Sequence, residues 1–320
     1  MTIDYLSIKN SGTIRELIGS FKFSEYRKYH IFKKEDINEY LFRQIQELIK
    51  NKNGKVAIAK EGKKVVGLIS LLNLNWDSEI FGFRMAKIAH LIVDEYCQNS
   101  FPIKYDLIFF ILNECKFKKI DHLSCRVDTE DFSACHALEA NNFRIMDTLV
   151  TYIFDKLRYR LPYFKELFRV RLFRKEDTPT LSKLSKERFL NSRFYKDSNF
   201  PKDKIDLMHG EWIRNSCSNL TDARVFVAEK NNMPVGFIMY KKNKEVENFF
   251  KIKIYGSGLL VSNVKGAGHS LIGAMLKDLI SLKIDILEID TQITNYEILR
   301  LLQGFGLNFV SSKYTFHLSL

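Results

Sequence analysis

The segment VKGAGHSLIG, residues 264–273, joins an apolar run to an apolar helical stripe through a loop that carries Lys265 and two closely spaced glycines. Such a loop suits an anion. Glycines let the backbone come close, the first amides of a helix lack carbonyl partners, and the helix dipole favours negative charge there by about 0.3–1 kcal/mol. Two common phosphate loops are excluded. No Lys-Ser or Lys-Thr ends the loop as a P-loop requires, and Leu271 stands where the dinucleotide fingerprint has its third glycine. A third pattern, Arg or Gln followed by x-x-G-x-G/A between a strand and a helix, has Lys265, Gly268 and Ser270 in its places, with Gly266 as an extra glycine. The expected ligand is a pyrophosphate lying on Lys265, Gly266, Ala267, Gly268, His269, Ser270 and Leu271. The alternative is a plain strand-to-helix turn eased by glycine.

Composition narrows the setting. A chain of 320 residues is expected to form two domains, each with its own core. The formal charge of +12 favours nucleic acid, anionic lipid or phosphorylated small molecules as partners, or else is spread over lysine-rich solvated faces. The five cysteines (Cys97, Cys115, Cys125, Cys135 and Cys217) form no CxxC pair and fit neither zinc spacing nor a disulfide scaffold. They read as reduced structural thiols, so a cytoplasmic setting and no metal are expected. The N-terminus lacks the charged start and apolar run of a signal peptide. KYDLIFFILNEC is too short for a membrane span and reads as a buried helix.

The elements around the loop recur twice. In the second half, ARVFVAEKNNMPVGFIMYKK is a hairpin turning at Asn231-Asn232, and KIKIYGSGLLVS is a strand. GHSLIGAMLKDLISLK has a helical stripe, DILEIDT is a strand, NYEILRLLQGFG is a helix and KYTFHLSL is a closing strand. The first half repeats the order, from the hairpin GKVAIAKEGKKVVGLISLL through the strand MAKIAHLIVDE to the strand DTLVTYIFD. This is a duplicated domain of mixed α/β (α+β) class, with expected bounds 1–158 and 166–320. The basic, aromatic stretch between them is expected to be a packed connector. The first half has no glycine between AHLIVDE and IFFILNE.

This order resembles the GNAT acyltransferase family over both halves. TQITNYEILRLLQGFGLNF resembles that family's N-x-x-A-x-x-L-Y-x-x-x-G-F segment, with Asn295 and Gly306 on its asparagine and glycine. LNLNWDSEIFGFRMAKI (72–88) and ERFLNSRFYKDSNFPKDKIDLMHGEWIRNS (187–216) resemble segments of the dTDP-fucosamine N-acetyltransferase group within it. The resemblance implies two tandem GNAT-like domains, each a mixed, mostly antiparallel twisted sheet flanked by helices, with acetyl-CoA as co-substrate. It implies transfer to the amino group of a nucleotide-linked amino-deoxysugar for surface polysaccharide. It also implies that the strand at 254–261, including Leu260 and Val261, meets the pantetheine arm, and that Asn295 belongs to the cofactor site. Two departures stand out. The first half lacks the loop and is expected not to bind CoA. The family's proton-donating tyrosine falls on Leu302, which donates nothing.

Acetyl transfer requires alignment of a neutral amine, oxyanion stabilisation and management of two protons. Glu288 and Asp290, alternating with apolar neighbours, are candidate bases, or else solvated strand-end carboxylates. With Leu302 silent, the acid candidates are Tyr314, Tyr296, His269 or a water. Ser192, Arg193 and Phe194 are candidate acceptor contacts, Arg193 for a phosphate and Phe194 for stacking on a base, with Trp212, His209 and His317 as further ones. Two other readings stay open: a CoA-binding scaffold or sensor without catalysis, and a tandem acyltransferase using aminoacyl-tRNA. The leading reading expects no nucleic acid and no membrane span, and leaves a homodimer open.

Overall fold

A tight turn sets the second hairpin. Asn231 and Asn232 both take left-handed backbone, with φ of 52° and 59°, which matches the twist of the strands they join. The computed structural model describes residues 1–51, 53–94, 100–157, 159–185, 191–218 and 223–320, without the side chain of Ser257. The chain divides into two compact units, residues 1–148 with 312–320, and residues 149–311.

The first unit contains β1 (Thr2–Tyr5), α1 (Arg15–Ser20), α2 (Lys34–Lys50), β2 (Gly54–Glu61), β3 (Lys64–Asn73) and α3 (Asn75–Phe81). It continues through β4 (Met85–Val93), α4 (Ser100–Phe117), β5 (His122–Asp128), α5 (Phe132–Ala140) and the start of β6 (Arg144–Asp155). Its sheet is mostly antiparallel, with one parallel pair, β4 on β5. Leu71, Ile88 and Leu123 face α4 and α5 on one side, while Ile58 and Leu68 meet α1 and α2 on the other.

The second unit opens on the remainder of β6 and runs through β7 (Arg169–Leu172), α6 (Thr178–Ser185), α7 (Arg193–Lys196), α8 (Lys202–Ser218), β8 (Ala223–Lys230) and β9 (Met233–Lys242). Then come α9 (Lys244–Phe250), β10 (Ile254–Ser262), α10 (Ala267–Ser281), β11 (Ile286–Gln292), α11 (Tyr296–Gly304) and the start of β12 (Asn308–Ser319), whose remainder belongs to the first unit. Here too the sheet is mostly antiparallel, with β10 and β11 as its parallel pair. Leu271, Met275, Leu287 and Ile289 build the core beneath α10 and α11, and Ile213, Val227, Phe237 and Val261 fill the other face.

Each sheet is completed by a strand from the other half of the sequence. Leu149–Asp155 of β6 pair with β11, and Lys313–Ser319 of β12 pair with β5. The unit bounds therefore differ from the consecutive segments 1–158 and 166–320. Both closing strands have the same apolar alternation, and a strand pairs with whichever edge satisfies its backbone groups.

Candidate functional site

Two parallel strands that separate leave backbone groups with no strand to bond. β10 pairs with β11 only through Ile254–Gly256 against Ile286–Glu288, although both strands run on. On its other edge β10 stays with β9, where Ser257 faces Tyr240 and Leu260 faces Ile238. Gly258 and Leu259 thus oppose the single residue Met239. That bulge bends β10 and increases its twist. The edge of β10 towards β11 is left with amides and carbonyls that β11 does not take. Leu260 and Val261 turn their side chains into the two cores, so only their backbones serve this edge.

At the end of β10 the chain turns into α10. Gly266 is its N-cap with φ of 90°, and a Cβ there would lie 2.8 Å from Leu167 Cδ1. The backbone angle is what calls for glycine, since the Leu167 side chain can move aside. The Ala267 amide donates to the Val264 carbonyl at 3.1 Å and the Ser270 amide to Gly266 at 3.3 Å. The amides of Gly268 and His269 reach no backbone acceptor among the described residues. Lys265 is exposed beside them. Two open amides, a cation and a helix terminus fit a diphosphate. Leu271 lies in the core and contributes only its backbone.

A segment upstream is strapped across the first two turns of α10. Ser270 Oγ accepts the backbone N–H of Leu167 at 3.0 Å and of Phe168 at 3.2 Å. Glu166 pairs with Lys277 at 2.6 Å. Phe164 presses on Gly273, where a Cβ would lie 2.1 Å from its ring, and its edge meets His269 and Phe305. The hydroxyl of Ser270, expected at the anion, is instead spent on this strap. The sequence did carry the signal: Gly266, Ser270 and Gly273 are small residues on one side of a helix, which lets a second segment approach.

The other candidates divide between the units. Leu287 and Ile289 face α10 and α11, so Glu288 and Asp290 alternate to the opposite face of the sheet. Glu288 is half-buried, while Asp290 is exposed and accepts from Thr151 Oγ1 at 2.6 Å. Asn295 is the N-cap of α11, and its Nδ2 donates to Thr291 Oγ1 at 3.1 Å. Leu302 is 1 % exposed and packs in the core, and Tyr296 is exposed. Ser192 precedes α7, and Trp212 is exposed on α8. The Arg193 guanidinium lies 4.6 Å from the centroid of the Phe194 ring. Phe194 is buried edge-to-face on Phe200, so the open stacking surface expected of it is absent: the ring is interior. His209 is buried, donates Nδ1–H to the Ile205 carbonyl at 2.9 Å, and is held by burial at about 4, hence neutral. Tyr314 and His317 belong to the first unit. Tyr314 faces the core containing Phe316, and His317 is buried edge-on against His122.

The first unit repeats the strand geometry without the loop. β4 pairs with β5 only through Met85–Ile88 against His122–Cys125, and its register on β3 shifts between Leu71 and Ser70. Between α4 and α5 the wholly buried Lys104 donates to Asp131 at 2.5 Å and to Ser133 at 2.7 Å. This ion pair ties the two helices together. It was visible as a lysine inside an apolar helix, and the sequence reading missed it. Ser70 Oγ and His90 Nδ1 lie 2.8 Å apart on β3 and β4, a pair also missed. Residues 95–99, part of the glycine-free stretch, lie outside the described residues. The described cysteines, Cys115, Cys125, Cys135 and Cys217, are free, and burial pushes the Cys115 thiol up to about 12, so it is a poor nucleophile.

No family model matches the chain, and no curated protein matches it. Solved structures do. A tandem GNAT protein from the clavulanic acid biosynthesis pathway, solved without AcCoA, is similar with a TM-score of 0.56 and 11% identity, over 99% of this chain and 98% of that one. A GCN5-related N-acetyltransferase from Sphaerobacter thermophilus is similar with a TM-score of 0.66 and 10% identity, over 99% of this chain and 95% of that one. The chain has the tandem GNAT fold.

Proposed function

We propose that this chain is an acyltransferase that moves the acetyl group of acetyl-CoA to the amino group of a nucleotide-linked amino-deoxysugar. One observation carries the cofactor half of this reading: the open edge of β10 leads directly to the open amides of Gly268 and His269. A thioester carrier has a diphosphate and an amide-bearing arm, and these residues offer donors for both. Gly266, Gly268, His269 and Lys265 hold the diphosphate, and the backbone at Leu260 and Val261 meets the arm. When bound, acetyl-CoA supplies an activated acetyl group.

The chain's own residues do the rest. Glu288, on the sheet face away from α10, takes the proton of the incoming ammonium so that a neutral amine attacks. Asp290, tied to Thr151, is the second candidate for that task. Amides of β10 receive the oxyanion. Leu302 donates no proton; a thiol of pKa about 8.5 leaves as thiolate, the proton shed by the nitrogen of the tetrahedral intermediate passes to solvent, and the missing acid slows the transfer without forbidding it. The sugar-nucleotide acceptor rests on the second unit's segment at 191–216, with Ser192, Arg193 and Trp212 as its contacts, in a cytoplasmic setting. The first unit, bolted by Lys104 and Asp131, serves without CoA.

The test is incubation of the purified chain with acetyl-CoA and a panel of dTDP- and UDP-linked amino-deoxysugars, following free thiol. Release with at least one member supports the proposal. No release from any, with CoA shown to bind by calorimetry, refutes the transferase and leaves a CoA-binding scaffold, a reading that the buried Leu302 favours.

A further inference from the structure

Helix α4 has an apolar residue on nearly every side, a composition that suits a helix enclosed all round. It is not enclosed. Ile103, Leu107, Ile108, Ile111 and Cys115 face the core of the first unit. A second stripe, at fourfold spacing, carries Phe101 and Phe109, 40% and 52% exposed, with Tyr105 between them half-buried against the core. Phe117, at the end of the helix, is 85% exposed. Phe132, the first residue of the neighbouring α5, is 66% exposed. Along the flank, Phe110 meets the exposed Tyr5, whose ring lies under Lys55.

The Phe117 end of this aromatic face is basic. Phe117 sits inside the run Lys116-Phe117-Lys118-Lys119. Of the helix's two acidic residues, Glu114 accepts from Tyr5 and pairs with Lys118, and Asp106 alone is exposed. A second copy of the chain would bring the same lysines against these. Among the described residues no helix is long and apolar enough to cross a membrane, so α4 does not span one. We infer that the outer face of α4 docks on an anionic lipid surface, with Phe109 and Phe117 entering the interface and Lys116 and Lys119 meeting the headgroups. Exposed aromatics and lysines are the pair of contacts that peripheral attachment needs. This holds independently of which acceptor the second unit uses.

The test is co-sedimentation of the full chain with vesicles of phosphatidylcholine, with and without phosphatidylglycerol. Binding is expected only to the anionic vesicles and should weaken as salt is raised. Phe109→Ser and Phe117→Ser, both at exposed positions, should each weaken it about tenfold while leaving the melting temperature in place. Lys116→Glu and Lys119→Glu should each cost at least about fivefold. The inference is overturned if the anionic vesicles do not retain the chain, or if the phenylalanine variants bind as well as the parent. It is also overturned if light scattering shows a dimer that Phe109→Ser dissolves while no vesicle binds.

Discussion

Ser270 Oγ lies 3.0 Å from the backbone nitrogen of Leu167 and accepts its N–H, so a side chain at the head of α10 holds the strap beside the N-cap glycine. Replacing it by alanine leaves two amides without their acceptor. Ser270→Ala is expected to cost about 1–3 kcal/mol of unfolding free energy, measured by urea denaturation. An unchanged midpoint would show that the strap needs no such anchor.

Gly273 tests the same strap from its other end. Any Cβ there meets the Phe164 ring, so Gly273→Ala should destabilise by about 1–3 kcal/mol in thermal melts despite alanine's better helix propensity. Combining it with Phe164→Leu should recover part of the loss. No recovery would place the cost elsewhere.

In the first unit, Lys104→Met removes one partner of a buried ion pair and leaves the buried Asp131 carboxylate with no countercharge, only the Ser133 hydroxyl and the Ala134 amide as donors. The expected cost is about 3–5 kcal/mol in denaturant melts. The double change Lys104→Met with Asp131→Asn should be milder than the single one, because no buried charge is then stranded.

His209 sets a pH dependence. Its folded value, lowered by burial to about 4, lies below the usual 6.5, so the unfolded chain binds the proton first as pH falls. Stability from this group is full above pH 6.5, declines between there and about 4, and then levels, an upper bound of about 3 kcal/mol in all. His209→Gln should flatten that part of the stability profile. His90, lowered to about 4 by burial, against the opposing pull of Glu25 and with a smaller lowering from Lys87, adds a decline in the same window.

Much of this architecture was legible from periodicity. The Asn231-Asn232 turn, the glycine-opened helix α10 and the alternation of β11 follow from local chemistry. The crossed closing strands were not legible, because β6 and β12 have interchangeable patterns and pairing partners are a tertiary choice. Nor was the interior place of Phe194, since an aromatic beside an arginine reads equally as a stacking platform or as core. Ser270 matched an anion-loop position, and only the fold shows its hydroxyl engaged by Leu167 and Phe168.

The central claim is that the open amides of α10 hold the diphosphate of a thioester carrier. Gly268→Pro deletes one of those donors within the first helical turn, where proline is tolerated. Calorimetric titration with CoA should show tight binding to the parent and about tenfold weaker binding to this variant, with the fold intact by circular dichroism. Equal affinity of the two, or no binding to the parent, would contradict the account.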